Sequence, residues 1–338
     1  MSILSCLPLA AVGEVLRGNA LPAILAALCL GITVATRAIS LHKLPGPARI
    51  PADRSAWPLA GILFGAMGFW MLAISATGSL WAVLAPKYGA STQPTESDAG
   101  SAILNTVPAI FGLIALLAGD QVIFPSVQQD LGLGRAKLGR GVLFGIGGGM
   151  LVIPPLLFAS QLMEMIYRSL RYQHPTEHPL LRVLGEAPNG WITATLILGA
   201  CLLAPVFEEL VFRGHLQTLI SRAIHSVEVA VRNLLKPTEP GFAVGSEIAE
   251  EAAPNPLDRP LDPRPVLKSS RIPPMLAIII TSLLFASVHP LWSFPIIFLL
   301  SLALGYAYER TGNLWVSVAM HATFNSVSTA LFLLGASS

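Results

Sequence analysis

The chain has 338 residues, of which 53% are hydrophobic and 12% charged, and its formal net charge is +2. So little charge among so many apolar residues excludes an ordinary soluble protein and points to an integral membrane protein. A balance this near neutrality also offers no basic surface for a nucleic-acid partner.

Residues 1–18 form a short apolar run interrupted by Glu14 and Arg17. It has neither a basic start nor a small-residue exit site, so this segment is expected to stay on the chain. A spanning helix needs roughly twenty apolar residues. Segments 20–36, 57–84, 102–124, 141–166, 190–214, 273–289, 293–309 and 313–334 meet that test, which predicts an all-α polytopic membrane bundle of about eight transmembrane helices. Residues 1–189 are the N-terminal group of about four helices, and 190–334 form a helical core interrupted by a polar loop at 225–272. That loop mixes Pro237, Pro240, Pro254 and Pro256 with charges of both signs, and reads as a flexible spacer or a docking segment.

Arg37, Lys43, Arg49 and Arg54 lie between the first two spans, and Arg135, Lys137 and Arg140 between the third and fourth. Seven further bases lie between the fifth and sixth, among them Arg222, Arg232 and Lys268. All three connections fall on one side, which the positive-inside rule makes cytoplasmic, with both termini outside. Arg168, Arg171 and Arg182 on the other side weaken the asymmetry without reversing it. Cys6, Cys29 and Cys201 sit in apolar stretches, odd in number and far apart, and read as buried structural thiols. Gly145, Gly147, Gly148 and Gly149 in the fourth span are expected to allow close helix packing, in preference to cradling a nucleotide.

The fifth span ends on Ala204-Pro-Val-Phe-Glu208-Glu209-Leu-Val-Phe-Arg213-Gly214. Charges at such depth are costly unless paired or used. Glu209 and Arg213 are four apart with the acid first, the better order for an ion pair along a helix. Glu208 is turned about 100° away and has no partner in its own helix. The sixth span carries Phe285-Ala-Ser-Val-His289, and the eighth His321-Ala-Thr-Phe-Asn325, whose polar members share one helix face. Singly each has a bland explanation: an interfacial histidine, packing glue between helices, a structural ion pair. Together they predict one polar pocket. His215 and His225 are expected at the membrane interface, and Asp120 is a weaker outlier of the same kind.

Glu-Glu-x-x-x-Arg at 208–213, Phe-x-x-x-His at 285–289 and His-x-x-x-Asn at 321–325, in that order and in separate spans, resemble the motifs of the CPBP family. That family comprises type II CAAX prenyl proteases, bacteriocin-processing enzymes and related immunity proteins. The resemblance covers roughly 190–334, with the insertion at 225–272 as its main departure.

It implies peptide-bond hydrolysis inside the membrane; the multi-pass chain is expected in a bacterial-type cell membrane, with the 225–272 loop cytoplasmic by the positive-inside rule. The implied partners are the lipid bilayer and a protein or peptide substrate, lipidated or not. In one mechanism Glu208 and His289 activate water while His321 and Asn325 stabilise the oxyanion, with Arg213 fixing Glu209. In another, Glu208, His289 and His321 hold zinc. The chain lacks the His-Glu-x-x-His helix of the zincins, and similarity to the CAAX protease implies a metal-free glutamate site, so the first is favoured and no cofactor is expected. A non-catalytic immunity or peptide-binding protein and a proton-coupled transporter are the competing classes. The depths conflict, however. The glutamates and His289 each lie late in spans that run in opposite directions, which requires a misplaced boundary or a fifth helix continuing towards Ile224.

Overall fold

A computed structural model of the chain describes residues 20–35, 57–88, 99–123, 131–175, 190–235 and 272–336. These form helices α1 (Ala20–Ala35), α2 (Trp57–Leu84), α3 (Ala99–Ile123) and α4 (Arg135–Ser169), then a long composite helix α5. The chain continues through α6 (Ile272–Ser287), α7 (Phe294–Thr311) and α8 (Leu314–Ala336). Among the described residues there is no strand. Five helices are long and apolar enough to cross a membrane, and three more apolar stretches are shorter. The protein is an all-α, polytopic membrane bundle. Large apolar side chains such as Phe64, Leu143 and Leu198 face outward, as a lipid solvent permits. Residues 1–18, with the retained N-terminus expected there, and Cys6 lie outside the described residues.

The predicted spans reappear with shifted ends, and two shifts matter. Helix α4 begins at Arg135, so the basic triad Arg135, Lys137 and Arg140 lies in its first two turns, not in a loop. Helix α5 does not stop at residue 214. It runs as α-helix Gly190–Leu198, π-helix Gly199–Leu203, α-helix Ala204–Glu209, π-helix Leu210–Gln217 and α-helix Thr218–Leu234. The apolar stretch from Gly190 to Arg232 is 43 residues, about 65 Å at 1.5 Å per residue. Residues 225–234 are therefore helix, a correction to the predicted loop; its portion at 236–271 lies outside the described residues. Polarity misled here, because Thr218–Leu234 keeps an amphipathic pattern that the charges of Arg222, Glu228 and Arg232 obscure.

Helix α8 packs chiefly on α4, and a glycine stripe explains how closely. A Cβ at Gly145 would lie 2.5 Å from both the Ala319 Cβ and the Val316 carbonyl oxygen. One at Gly149 would lie 2.8 Å from the Thr323 Cβ, and one at Gly141 2.7 Å from the Asn313 side chain. Gly148 meets only Met320, and Gly147 faces open space. The expected packing role therefore holds at three of the four predicted glycines and gains Gly141. Helices α2, α3, α5, α7 and α8 share a core around Leu116, Leu210, Tyr308 and Leu314. The turn between α7 and α8 is closed by Gly312 with φ of 62°, and Gly132, with φ of 82°, packs against its carbonyl.

Cys29 and Cys201 are free and half-buried, less enclosed than expected, and Cys201 Sγ lies 3.8 Å from Thr329 Oγ1.

Candidate active site

Pro205 sets the local shape of α5 above the glutamates. The Ala204 N–H reaches back five residues to the Gly199 carbonyl, a π-type bond. In that register the Ala200 carbonyl would be served by residue 205, a proline with no N–H to give. The Asn325 side chain takes over instead, donating from Nδ2 to the Ala200 oxygen at 2.8 Å. An unmatched carbonyl on α5 thus anchors the amide of α8 beside the cavity. An asparagine NH2 carries two donor hydrogens, so one remains for a ligand.

Beyond the short α-segment, the second π-helix carries Arg213 and His215. Glu209 and Arg213 are both fully buried, and Arg213 Nη1 donates to Glu209 Oε1 at 2.9 Å. Arg213 Nη2 donates to Ser301 Oγ at 2.7 Å, and the guanidinium lies 4.4 Å from the centroid of the Phe285 ring. The same Glu209 oxygen accepts from His321 Nδ1 at 3.0 Å. Glu209 therefore does more than balance Arg213: it fixes the imidazole. The opposite ring nitrogen, His321 Nε2, lies 3.8 Å from Glu208 Oε2. Glu208 keeps 27% of its side-chain surface accessible, whereas Glu209 keeps none. The predicted division into one held and one free acid is present in the geometry.

His289 sits just past the end of α6, where Pro290 denies it helical backbone. Its Nδ1 donates to the Phe285 carbonyl at 2.7 Å, which leaves Nε2 as the atom available for chemistry in the neutral ring. Phe285 is fully buried at the hub, with its ring 4.7 Å from that of His289 and 5.8 Å from that of His321. The motif phenylalanine is thus a spacer between the two imidazoles and a face for Arg213.

Glu208, His289, His321 and Asn325 line one cavity of about 500 Å³, while Glu209 and Arg213 stand behind its wall. The conflict of depths is resolved by the continuing fifth helix and by the early end of α6. Sequence reading missed part of this cavity: Glu164, Tyr167, His174 and Trp292 line it too. Glu164, a carboxylate inside a predicted span, was the available signal. Ser301 carries no sequence signal, being one small residue in an apolar helix.

His215 is enclosed by protein. It is fully buried, with Nε2 2.9 Å from Asp120 Oδ1 and Nδ1 2.9 Å from the Leu210 carbonyl. Asp120, equally buried, is its partner and not a stray outlier. His225 is partly exposed near the end of α5.

Among the described residues no group of three His, Cys, Asp or Glu donors could hold a metal ion. His321 Nδ1 and Glu209 Oε1 are bound to each other, and Glu208 with His321 Nε2 makes only a pair.

The bundle thus brings a partly accessible carboxylate, two oriented imidazoles and an amide to one cavity. Residues 190–327 match the model of the family described as Type II CAAX prenyl endopeptidase Rce1-like. The match points to an intramembrane endopeptidase of the CAAX type. No curated protein and no solved structure matches the chain significantly.

Proposed function

We propose that the chain is an intramembrane endopeptidase whose catalytic residues are Glu208, His289, His321 and Asn325, with Glu209 and Arg213 holding His321. The observation that carries this reading is the convergence of those first four side chains on one cavity of about 500 Å³. Its apolar remainder, including Leu156 and Phe324, suits a membrane-associated peptide segment, lipidated or not.

Glu208 is the general base, and His289 Nε2 shares the orientation of the attacking water. As the water oxygen bonds to the scissile carbonyl carbon, its proton passes to Glu208 and charge builds on the carbonyl oxygen. The spare N–H of Asn325 donates to that oxygen, and so does His321 Nε2 when the ring carries both protons. Collapse of the tetrahedral species breaks the C–N bond, and Glu208 returns the proton to the leaving amine. Glu209 keeps His321 Nδ1 occupied, so the ring cannot turn away from the cavity. The basic residues between the predicted spans support a cytoplasmic α5–α6 side by the positive-inside rule.

The test compares new protein termini in membranes of cells carrying the wild-type chain or Glu208→Gln at matched abundance. Termini that vanish with Glu208→Gln support the endopeptidase and identify its substrates. An unchanged set of termini overturns it and favours a peptide-binding role.

A further inference from the structure

Beyond the catalytic set, one wall of the cavity comes from the end of α4 and the segment following it, outside residues 190–327. Here His174 is surrounded by aromatic rings. Its imidazole stacks on Trp292 at 5.4 Å with an interplanar angle of 13°. Tyr167 meets it edge-on at 5.0 Å, and Tyr172 stacks at 5.9 Å. His174 Nε2 donates to Glu164 Oε2 at 3.0 Å, and Glu164 Oε1 is held by Arg168 Nε at 2.8 Å. The Tyr167 hydroxyl donates to the Trp292 carbonyl at 2.9 Å.

Trp292 belongs to the short 3-10 turn Leu291–Ser293, which follows His289 and Pro290 directly. His289 lies beyond the last residue of α6, where one turn-type backbone bond, from its N–H to the Ala286 carbonyl at 3.2 Å, stands in place of the continuous helical bonding that holds His321 within α8. Its own side-chain anchor is the single bond to Phe285. The turn's internal bonds, from the Ser293 N–H and hydroxyl to the Pro290 carbonyl, shape it without attaching it to the bundle. Beyond the His289 N–H bond to Ala286, the lateral contacts that hold Trp292 come from α4 and the segment after it, through a stacked ring and a tyrosine hydroxyl.

We propose that His174, with Tyr167, is a positioning residue for the reaction. It clamps the 289–293 turn and thereby sets His289 against the cavity. This rests on the proposed role of His289, but the clamp is a physical claim in its own right.

Two measurements decide it, on the full chain in lipid nanodiscs. The first is hydrogen exchange in wild type, His174→Ala and Tyr167→Phe, which needs no activity. Faster exchange across 288–293 with α7 and α8 unchanged supports the clamp; unchanged exchange in that turn overturns it. The second is a kinetic cycle on a substrate identified by its termini, with His174→Ala and His289→Ala singly and together. His174→Ala should lower kcat about tenfold with little change in KM, and should add less than twofold in the His289→Ala background. A full tenfold further loss there would show that His174 acts on substrate or folding, not through His289. His174→Phe, which keeps the stack, should recover most of kcat, and failure to do so counts against stacking as the clamp. A chain with no cleavage activity but a loosened turn would sink the endopeptidase and leave the clamp standing.

Discussion

Replacing Arg213 by methionine tests the buried centre most directly. The guanidinium has no exposed surface and contacts a carboxylate at 2.9 Å, a serine hydroxyl at 2.7 Å and an aromatic face at 4.4 Å. Arg213→Met leaves Glu209 charged and desolvated, a situation that costs about 3–5 kcal/mol when one partner of a buried pair is removed. Glu209→Gln leaves the guanidinium without its carboxylate and should cost a similar amount. The double variant Glu209→Gln/Arg213→Met removes both charges while its amide oxygen still accepts from His321 Nδ1. Its cost should fall to about 0–2 kcal/mol, since an apolar or neutral replacement of a whole buried pair is often tolerated. Non-additivity of at least about 3 kcal/mol is therefore expected. Equilibrium unfolding of the detergent-solubilised protein in a graded denaturing detergent measures all four members. Proteolysis by the double variant should stay low, because a neutral amide holds His321 less firmly than a carboxylate. Singles that each cost under about 1 kcal/mol, or a double variant as unstable as their sum, would refute the account of a tightly coupled buried pair.

Two further predictions concern helix packing. Asn325→Ala should cost about 1–3 kcal/mol by leaving the Ala200 carbonyl without its donor, besides lowering cleavage by two to three decades while leaving residual activity. Adding Pro205→Ala supplies a backbone N–H for that carbonyl, so the pair should regain thermal stability but not activity; no regain would mean that the carbonyl is satisfied elsewhere. Gly145→Ala should destabilise by about 1–3 kcal/mol, because its Cβ would lie 2.5 Å from Ala319 and Val316 across the α4–α8 contact. Gly147→Ala, which meets nothing within 4 Å, should be neutral or slightly stabilising in the same unfolding measurement.

How much of this was legible in the sequence follows from what each residue type costs in a membrane. Apolar runs announce helices because lipid admits no unpaired backbone, so the spans were readable to within a turn or two at most ends. Glu208, Glu209, Arg213, His289, His321 and Asn325 were readable because each is expensive at that depth, and expense is visible in one sequence. Ser301 is cheap in an apolar helix and left no trace, and Phe285 was marked only by its motif, not by its service to Arg213. The polar end of α5 failed in the opposite direction, since charged residues past a span look like loop unless their helical period is followed to Leu234.

The π-segments were hidden for a different reason. A π-turn inserts one residue into the helical phase, so a face count made at 3.6 residues per turn drifts after Gly199 and again after Leu210. Over Glu208 to Arg213 the drift is small enough that the four-residue pairing survives. Two residues further on it has turned His215 inward onto Asp120 of α3. Proline at 205 marks where the first phase shift is stabilised, because it removes the donor whose carbonyl Asn325 then captures. The same irregularity that defeats a periodic reading of α5 is therefore what binds α8, and the amide proposed for the oxyanion, to the helix that carries the acid.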